Sequence, residues 1–177
     1  STAINFLIAV IIARHAGPAV KGDVTLLVTI TYFFIFFSNI LGGQALVYLI
    51  PRNKMELLIV PAYLWTVIVA LVGFVVLRYT QLVQVNHLIS ITLLSLLSSV
   101  MNIHQTILLA KNKIFFSNLI TVVALLLQLV GISICFYAIN IHNAYAYIYA
   151  SLAAYLIATL FSFRLIKEQV VFTNFIK

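Results

Sequence analysis

Residues 23–50 read DVTLLVTITYFFIFFSNILGGQALVYLI, and no charged residue follows the aspartate that begins this stretch. A helix rises 1.5 Å per residue, so about twenty apolar residues cross the ~30 Å hydrocarbon core of a bilayer. Similar apolar runs recur along the rest of the chain, and a shorter one precedes this stretch. Backbone polar groups in lipid must be satisfied internally, which favours helices. The pattern predicts an all-α membrane protein, a polytopic bundle of about six transmembrane helices.

The composition supports this class. Hydrophobic residues make up 64% of the 177 residues and charged residues 7%, and the mean hydropathy is +1.19. Soluble domains are nearer 25% charged, and uninterrupted runs exclude the alternating strands of a barrel. The net charge of +7 is explained by topology signals and attraction to anionic lipid, or by an anionic cargo. No cluster is dense enough to predict a nucleic-acid partner.

Turn residues and apolar runs give the approximate helix boundaries. Gly17-Pro18 is typical of a turn, Asp23 is placed to cap the second helix, and Pro51 is placed to stop it. We treat residues 1–177 as one helical bundle that is part of a longer protein, with its first helix truncated. The predicted helices are 3–14, 24–50, 57–77, 88–110, 115–139 and 144–163, followed by a cytoplasmic tail at 164–177.

Positive charges divide unequally between alternate loops. Short loops rich in Lys and Arg stay in the cytoplasm. We therefore predict that the loop after Pro51 and the turn at 111–113 are cytoplasmic, and that the first helix ends outside. The cytoplasmic set is Arg52, Lys54, Lys111, Lys113, Arg164, Lys167 and Lys177, and the outer set is Arg14, Lys21 and Arg78.

Polar residues inside the runs recur at helical spacing. One reading is helix packing, in which small residues allow close approach and amides bond across helices. The other is a water-lined cavity, because an isolated amide is costly in hydrocarbon. Packing explains the small face of the sixth helix, whereas both readings stay open for the other stripes. The stripes include Thr25, Thr29, Tyr32 and Asn39; Ser99, Asn102, Gln105 and Thr106; Thr121 and Gln128; and Ser151, Ala154, Ala158 and Ser162.

Ionisable groups give no sign of an enzyme. The three acidic residues lie in or beside the predicted loops, which disfavours a buried proton relay and a drug exporter driven by a cavity acid. The four histidines lack the spacing of metal ligands, and a buried His104 is expected to be a packing residue. We therefore predict no catalytic residue, no metal site and no cofactor.

Two motifs near the beginning are similar to a known family. IARHAGPAVKGD (residues 12–23) and SNILGGQALVYLIPR (residues 38–52), with MNIHQTILLAKNK (residues 101–113), resemble the amino-terminal segment of polysaccharide flippases. These are the Wzx-like group of the MOP (multidrug/oligosaccharidyl-lipid/polysaccharide) exporter superfamily. The matching positions are Arg14, Gly17, Pro18 and Gly22, then Gly42, Gly43, Ala45, Leu46, Pro51 and Arg52.

The resemblance implies a fold of two pseudo-symmetric halves around a central cavity, of which this chain would be the first. It also implies movement of a lipid-pyrophosphate-linked oligosaccharide across the bacterial cytoplasmic (inner) membrane during surface polysaccharide or lipopolysaccharide synthesis. The partners would be that lipid-linked oligosaccharide, membrane lipid and the second half of the same protein. The alternatives are a cation-coupled drug exporter of the MATE type and a non-transporting membrane scaffold.

Candidate substrate-binding residues combine charge with amide groups. A diphosphate needs cationic donors, and sugars need amide and hydroxyl partners. Arg14 and Arg52 would supply charge at opposite ends of the path. Asn39, Asn102, Gln105 and Gln128 would line the path.

The charge division predicts a topology that labelling can test. Single cysteines at Asn53 and Gln81, in a Cys135→Ser background, should differ in reaction with an impermeant thiol reagent added to intact cells. We expect labelling at position 81 and protection at position 53, because the basic loop is retained inside. Labelling at 53 with protection at 81 would reverse the assignment.

Overall fold

The computed structural model describes residues 2–52 and 55–173, and this part is helical without a strand. Residues 53–54 of the predicted basic loop and residues 174–177 of the predicted tail lie outside the described residues. Five stretches are long and apolar enough to span a bilayer, so the chain has the character of a multi-pass membrane protein. The helices are α1 (Thr2–Gly42), α2 (Gln44–Leu49), α3 (Met55–Thr80), α4 (Val85–Ala110), α5 (Ile114–Tyr137) and α6 (Ala144–Thr173).

The long helix α1 folds back on itself at Gly17. This glycine has φ 84° and ψ 174°, a conformation that a side chain would strain. Residues from both sides of Gly17, including Asn5 and Tyr32, line one cavity. In an unbroken helix these two residues would be about 40 Å apart. We call residues 2–16 the first segment of α1 and residues 18–42 the second segment.

The fold-back is tighter than the sequence analysis predicts. We expected a loop over residues 15–23 with Asp23 as a helix cap, but these residues are helical except at Gly17, and Asp23 lies within the second segment. The reason is Pro18, whose fixed φ and missing N–H suit the first turn of a helix. One glycine and one proline therefore replace a nine-residue loop.

The predicted end of this helix also needs correction. We expected one helix over residues 24–50, whereas the second segment ends at Gly42 and the short α2 follows. A Cβ on Gly42 would lie 2.8 Å from the Ile103 side chain, and one on Gly43 would lie 2.5 Å from the Asn39 carbonyl oxygen. The glycine pair thus permits a bend where the chain packs closely on α4.

Two apolar clusters show which loops share an end of the bundle. Ile12 at the fold-back packs with Phe136 and Ala146, and the Tyr137 hydroxyl lies 2.8 Å from Nε2 of His15. At the opposite end, Ile50 packs in a cluster with Ile107 and Ile166. The basic turn after α4 therefore lies at the same end as the end of α2 and the last turns of α6.

Helix α4 is central and packs against all the other helices. Its serines at 95, 98 and 99 are buried. The predicted small face of the sixth helix is confirmed, since Ser151, Ala154, Ala158 and Ser162 are all buried. The same helix continues through Thr173, so residues 164–173 of the predicted tail are helical. The run from Arg164 to Thr173 holds neither Gly nor Pro that would end it.

Close packing of Phe34 on Gly73 gives a stability prediction. A Cβ at position 73 would lie 2.2 Å from the Phe34 ring, so Gly73→Ala should destabilise the bundle by about 1–3 kcal/mol through overpacking. The measurement is the unfolding temperature of the purified protein in detergent. Phe34→Leu should restore part of the loss.

Gly22→Ala is the matched control for that change. A Cβ at Gly22 meets no atom within 4 Å, and alanine favours a helix over glycine by about 0.5–1 kcal/mol. We expect unchanged or raised stability there. An equal loss from both substitutions would show that the Phe34 contact is not the cause.

Candidate functional site

The best-defined cavity is partly open, lies between helices of the bundle and has a volume of about 310 Å³. Both segments of α1 form one side, and residues of α4, α5 and α6 form the other. Its polar lining includes Gln128, three tyrosines and one cation, Lys21. Amide, phenol and ammonium groups in one apolar-walled cavity can bind a ligand that is both hydroxylated and anionic. The tyrosines are Tyr32, Tyr147 and Tyr155.

Gln128 lines the cavity and faces inward, as the cost of an isolated amide in hydrocarbon predicts. It is 4% exposed, and its Nε2 donates to Ser151 Oγ at 2.7 Å, which joins α5 to α6. The hydroxyl of Tyr147 interacts with the same two side chains. Since a glutamine amide has two N–H donors and an oxygen with two lone pairs, the contacts with Ser151 and Tyr147 leave part of this capacity for a ligand.

The two asparagines bond to each other outside this cavity. Nδ2 of Asn102 donates to Oδ1 of Asn39 at 2.5 Å, which joins α4 to the second segment of α1. Asn39 also lines a shallow outer groove that shares Tyr32 and Ile35 with the cavity. Among the predicted amides, Gln128 therefore lines the cavity, whereas Asn39 and Asn102 form a separate outer pair.

Gln105 lies at another helix contact. Its Nε2 donates to Thr121 Oγ1 at 3.0 Å, and Thr121 donates in turn to the Ser117 carbonyl at 3.3 Å. Gln105 does not contribute to the described cavity lining. Its hydrogen bond matches the packing interpretation, in which an amide joins two helices.

The two predicted arginines lie away from the cavity wall. Arg14 is exposed on the first segment of α1. Arg52 has its guanidinium carbon 3.8 Å from the centre of the Tyr48 ring, a cation–π contact. At the turn after α4, burial and the positive charge of Lys113 lower the pKa of the Lys111 ammonium.

Lys21 is the cavity cation that sequence reasoning missed as a site residue. The hydroxyl of Thr25 donates to the Lys21 carbonyl at 2.8 Å, and both side chains line the cavity. The available signal was spacing, because Lys21 extends the stripe of Thr25 and Thr29 by one helical turn. In the sequence its position near a turn also fits a topology signal.

A histidine network joins three helices. His104 is fully buried, its Nδ1 lies 2.5 Å from Ser162 Oγ, and its Nε2 lies 2.7 Å from the Tyr63 hydroxyl. Ser162 donates to the Thr159 carbonyl at 2.7 Å. This assigns the proton to Nδ1, so Nε2 accepts from Tyr63. The arrangement is that of a neutral packing histidine, which ties α3, α4 and α6 together.

No protein family, curated protein or solved structure matches this chain. Within the described residues, no three His, Cys, Asp or Glu side chains come together as a metal site. A proposed function therefore rests on the cavity, the outer pair and the charges around them.

The Asn39–Asn102 bond can be measured by a double-mutant cycle. Each single alanine substitution leaves the other amide unpaired, whereas the double substitution removes both. The double mutant should therefore lose less stability than the sum of the two single losses, with a coupling free energy of about 0.6–1.7 kcal/mol. Unfolding in mixed micelles gives the free energies.

Asn39→Ala combined with Gln128→Ala is the control cycle. These side chains bond to different partners, so their effects should add. Additive losses in the Asn39–Asn102 cycle would contradict the hydrogen bond.

Proposed function

We propose that this bundle is the amino-terminal half of a flippase that moves a lipid-pyrophosphate-linked oligosaccharide across the bacterial cytoplasmic membrane. The observation that supports the proposal is one cavity whose lining includes Gln128, three tyrosines and Lys21. The resemblance of the residues around Gly17 and Gly42 to Wzx-like flippases supplies the specific class. The second half of the same protein would complete the transport path.

The lining chemistry fits a sugar next to a phosphate. Sugar hydroxyls both donate and accept hydrogen bonds, as the Gln128 amide and the phenols of Tyr32 and Tyr147 do. The faces of the aromatic rings offer apolar surface to the C–H side of a sugar ring. Lys21, near the fold-back, supplies the positive charge that a phosphate requires. The volume lies at the lower end of small-ligand pockets, about 300–1,000 Å³.

The roles of the predicted residues can now be separated. Gln128 and Lys21 would contact the head group, with Tyr32 at the edge of the cavity. Arg14 and Arg52 would act at the two ends of the path, where exposed cations attract an anion before it enters. Asn39, Asn102 and Gln105 would hold helices together.

A non-transporting scaffold is the second candidate, and one observation favours it. The amide pairs Asn39–Asn102 and Gln105–Thr121 are satisfied between helices, as packing alone requires. A scaffold, however, does not need Lys21 and Gln128 to line the same cavity. The cation-coupled drug exporter has no comparable support in the described cavity, whose polar lining is amide, hydroxyl and ammonium.

Gln128 and Gln105 form a matched pair that tests the proposal. Each donates through Nε2 to a hydroxyl on the next helix, but Gln128 alone of the two lines the cavity. Gln128→Leu should reduce surface polysaccharide strongly, by about tenfold or more if a ligand hydrogen bond worth ~1.4 kcal/mol is lost. Gln105→Leu should retain most of the activity.

The assay is rescue of surface polysaccharide in cells that lack the flippase, with full-length variants at matched membrane expression. Lys21→Gln should also impair rescue, whereas Lys21→Arg keeps the charge and should retain it in part. Equal rescue by Gln128→Leu and Gln105→Leu would favour the scaffold.

A further inference from the structure

We infer that a groove on the outside of the bundle, between the second segment of α1 and α3, binds the polyprenyl tail of the lipid carrier whose head occupies the cavity. We call it the tail groove. The inference rests on the proposed function, since it takes the cargo to be a lipid-linked sugar. It adds a binding site for the apolar part of that cargo, on residues that the cavity does not include.

The tail groove is apolar and about 650 Å³ in volume. Its walls run from Leu26 to Phe37 on α1 and from Trp65 to Leu77 on α3, with Leu82 beyond the end of α3. Eleven helical steps give it a length of about 16 Å. The indole N–H of Trp65 donates to the Phe37 carbonyl at 2.9 Å, so this polar group is satisfied and the groove presents hydrocarbon and aromatic surface.

A glycine sets the depth of the tail groove. Phe34 packs directly over Gly73, where a Cβ would lie 2.2 Å from the ring. The close approach lets a buried aromatic ring form the floor while Phe33 and Val72 remain exposed at the rims. A concave strip between two helices results.

Shared residues connect the tail groove to the cavity. Tyr32 and Ile35 line both the cavity and the shallow outer groove. Thr29 and Phe33 line both the shallow groove and the tail groove. Successive helical positions are rotated by 100°, so the three surfaces follow one another around the second segment of α1.

The decrease in polarity from the cavity through the shallow groove to the tail groove indicates which kind of ligand fits. The cavity presents Lys21 and Gln128, the shallow groove presents Tyr32 and Asn39 among aromatic rings, and the tail groove is almost wholly apolar. An amphiphile with a phosphorylated sugar at one end and a long hydrocarbon chain at the other matches this order. A bulk phospholipid would cover the tail groove and other lipid-facing surfaces alike. The experiment must therefore distinguish a bound polyprenyl chain from bulk phospholipid.

Two matched pairs of positions on α3 test the occupant by photocrosslinking. Ile68 and Val72 line the tail groove, while Leu71 and Val75 face outward on the same helix. Val72 is 57% exposed and Val75 49%, so a photoreactive phenylalanine analogue should be tolerated equally at both. The full chain carrying one analogue is placed in vesicles of phosphatidylethanolamine and phosphatidylglycerol with undecaprenyl phosphate, and adducts are identified by mass.

We expect undecaprenyl phosphate adducts about tenfold more abundant at 68 and 72 than at 71 and 75, which corresponds to about 1.4 kcal/mol of preferential binding. Phospholipid adducts should be similar at all four positions. Equal undecaprenyl yields at the four positions, or phospholipid adducts alone at 68 and 72, would overturn the inference.

Binding and transport are measured separately, so the two proposals can fail independently. Persistent undecaprenyl adducts at 72, with no effect of any cavity variant on surface polysaccharide, would support the tail groove and contradict the flippase. Loss of polysaccharide in Gln128→Leu, with equal adducts at 72 and 75, would support the flippase and remove the tail groove.

Discussion

The fold-back at Gly17 is the constraint on which the rest of the structure depends. Because Gly17 takes a positive φ and Pro18 starts the next helix without a loop, the two segments of α1 lie close enough to form one side of the same cavity. The turn is held from outside, where His15 meets Tyr137 and stacks on Phe136. A longer, flexible loop would allow the segments to separate, and Lys21 would then have no fixed position relative to Gln128.

The hydrocarbon environment explains how the helices are held in register around that cavity. Apolar contact between helices gains little over contact with lipid, so close packing and polar pairs become decisive. Asn39–Asn102, Gln105–Thr121 and Gln128–Ser151 join α1 to α4, α4 to α5, and α5 to α6. His104 joins α4 to both α3 and α6. These polar contacts therefore hold neighbouring helices together, and α4 takes part in most of them.

The sequence predicted those features of the fold that depend on a local pattern of residues. Apolar run length gave the spanning stretches, helical spacing placed Gln128 facing inward, and small residues at 151, 154, 158 and 162 gave the packed face of α6. The partners of His104 were not predictable, because Tyr63 and Ser162 lie 41 and 58 residues away and periodicity carries no information on which stripes meet. Lys21 was missed because a cation near a turn also fits a topology signal. The length of the turn was overestimated because Gly17-Pro18 alone reverses the chain.

Packing and ligand binding are compatible at the same side chain, and Gln128 shows why. A glutamine amide offers two N–H donors and an oxygen with two lone pairs, and the bond to Ser151 uses one donor. The bond fixes the rotamer and so lowers the entropy that a ligand contact would otherwise cost. Asn102 donates to Asn39, which lines the shallow groove. One residue class thus serves two purposes: Gln128 lines the cavity, where its remaining hydrogen-bonding groups can meet a ligand, and the Asn39–Asn102 bond outside the cavity holds α1 against α4.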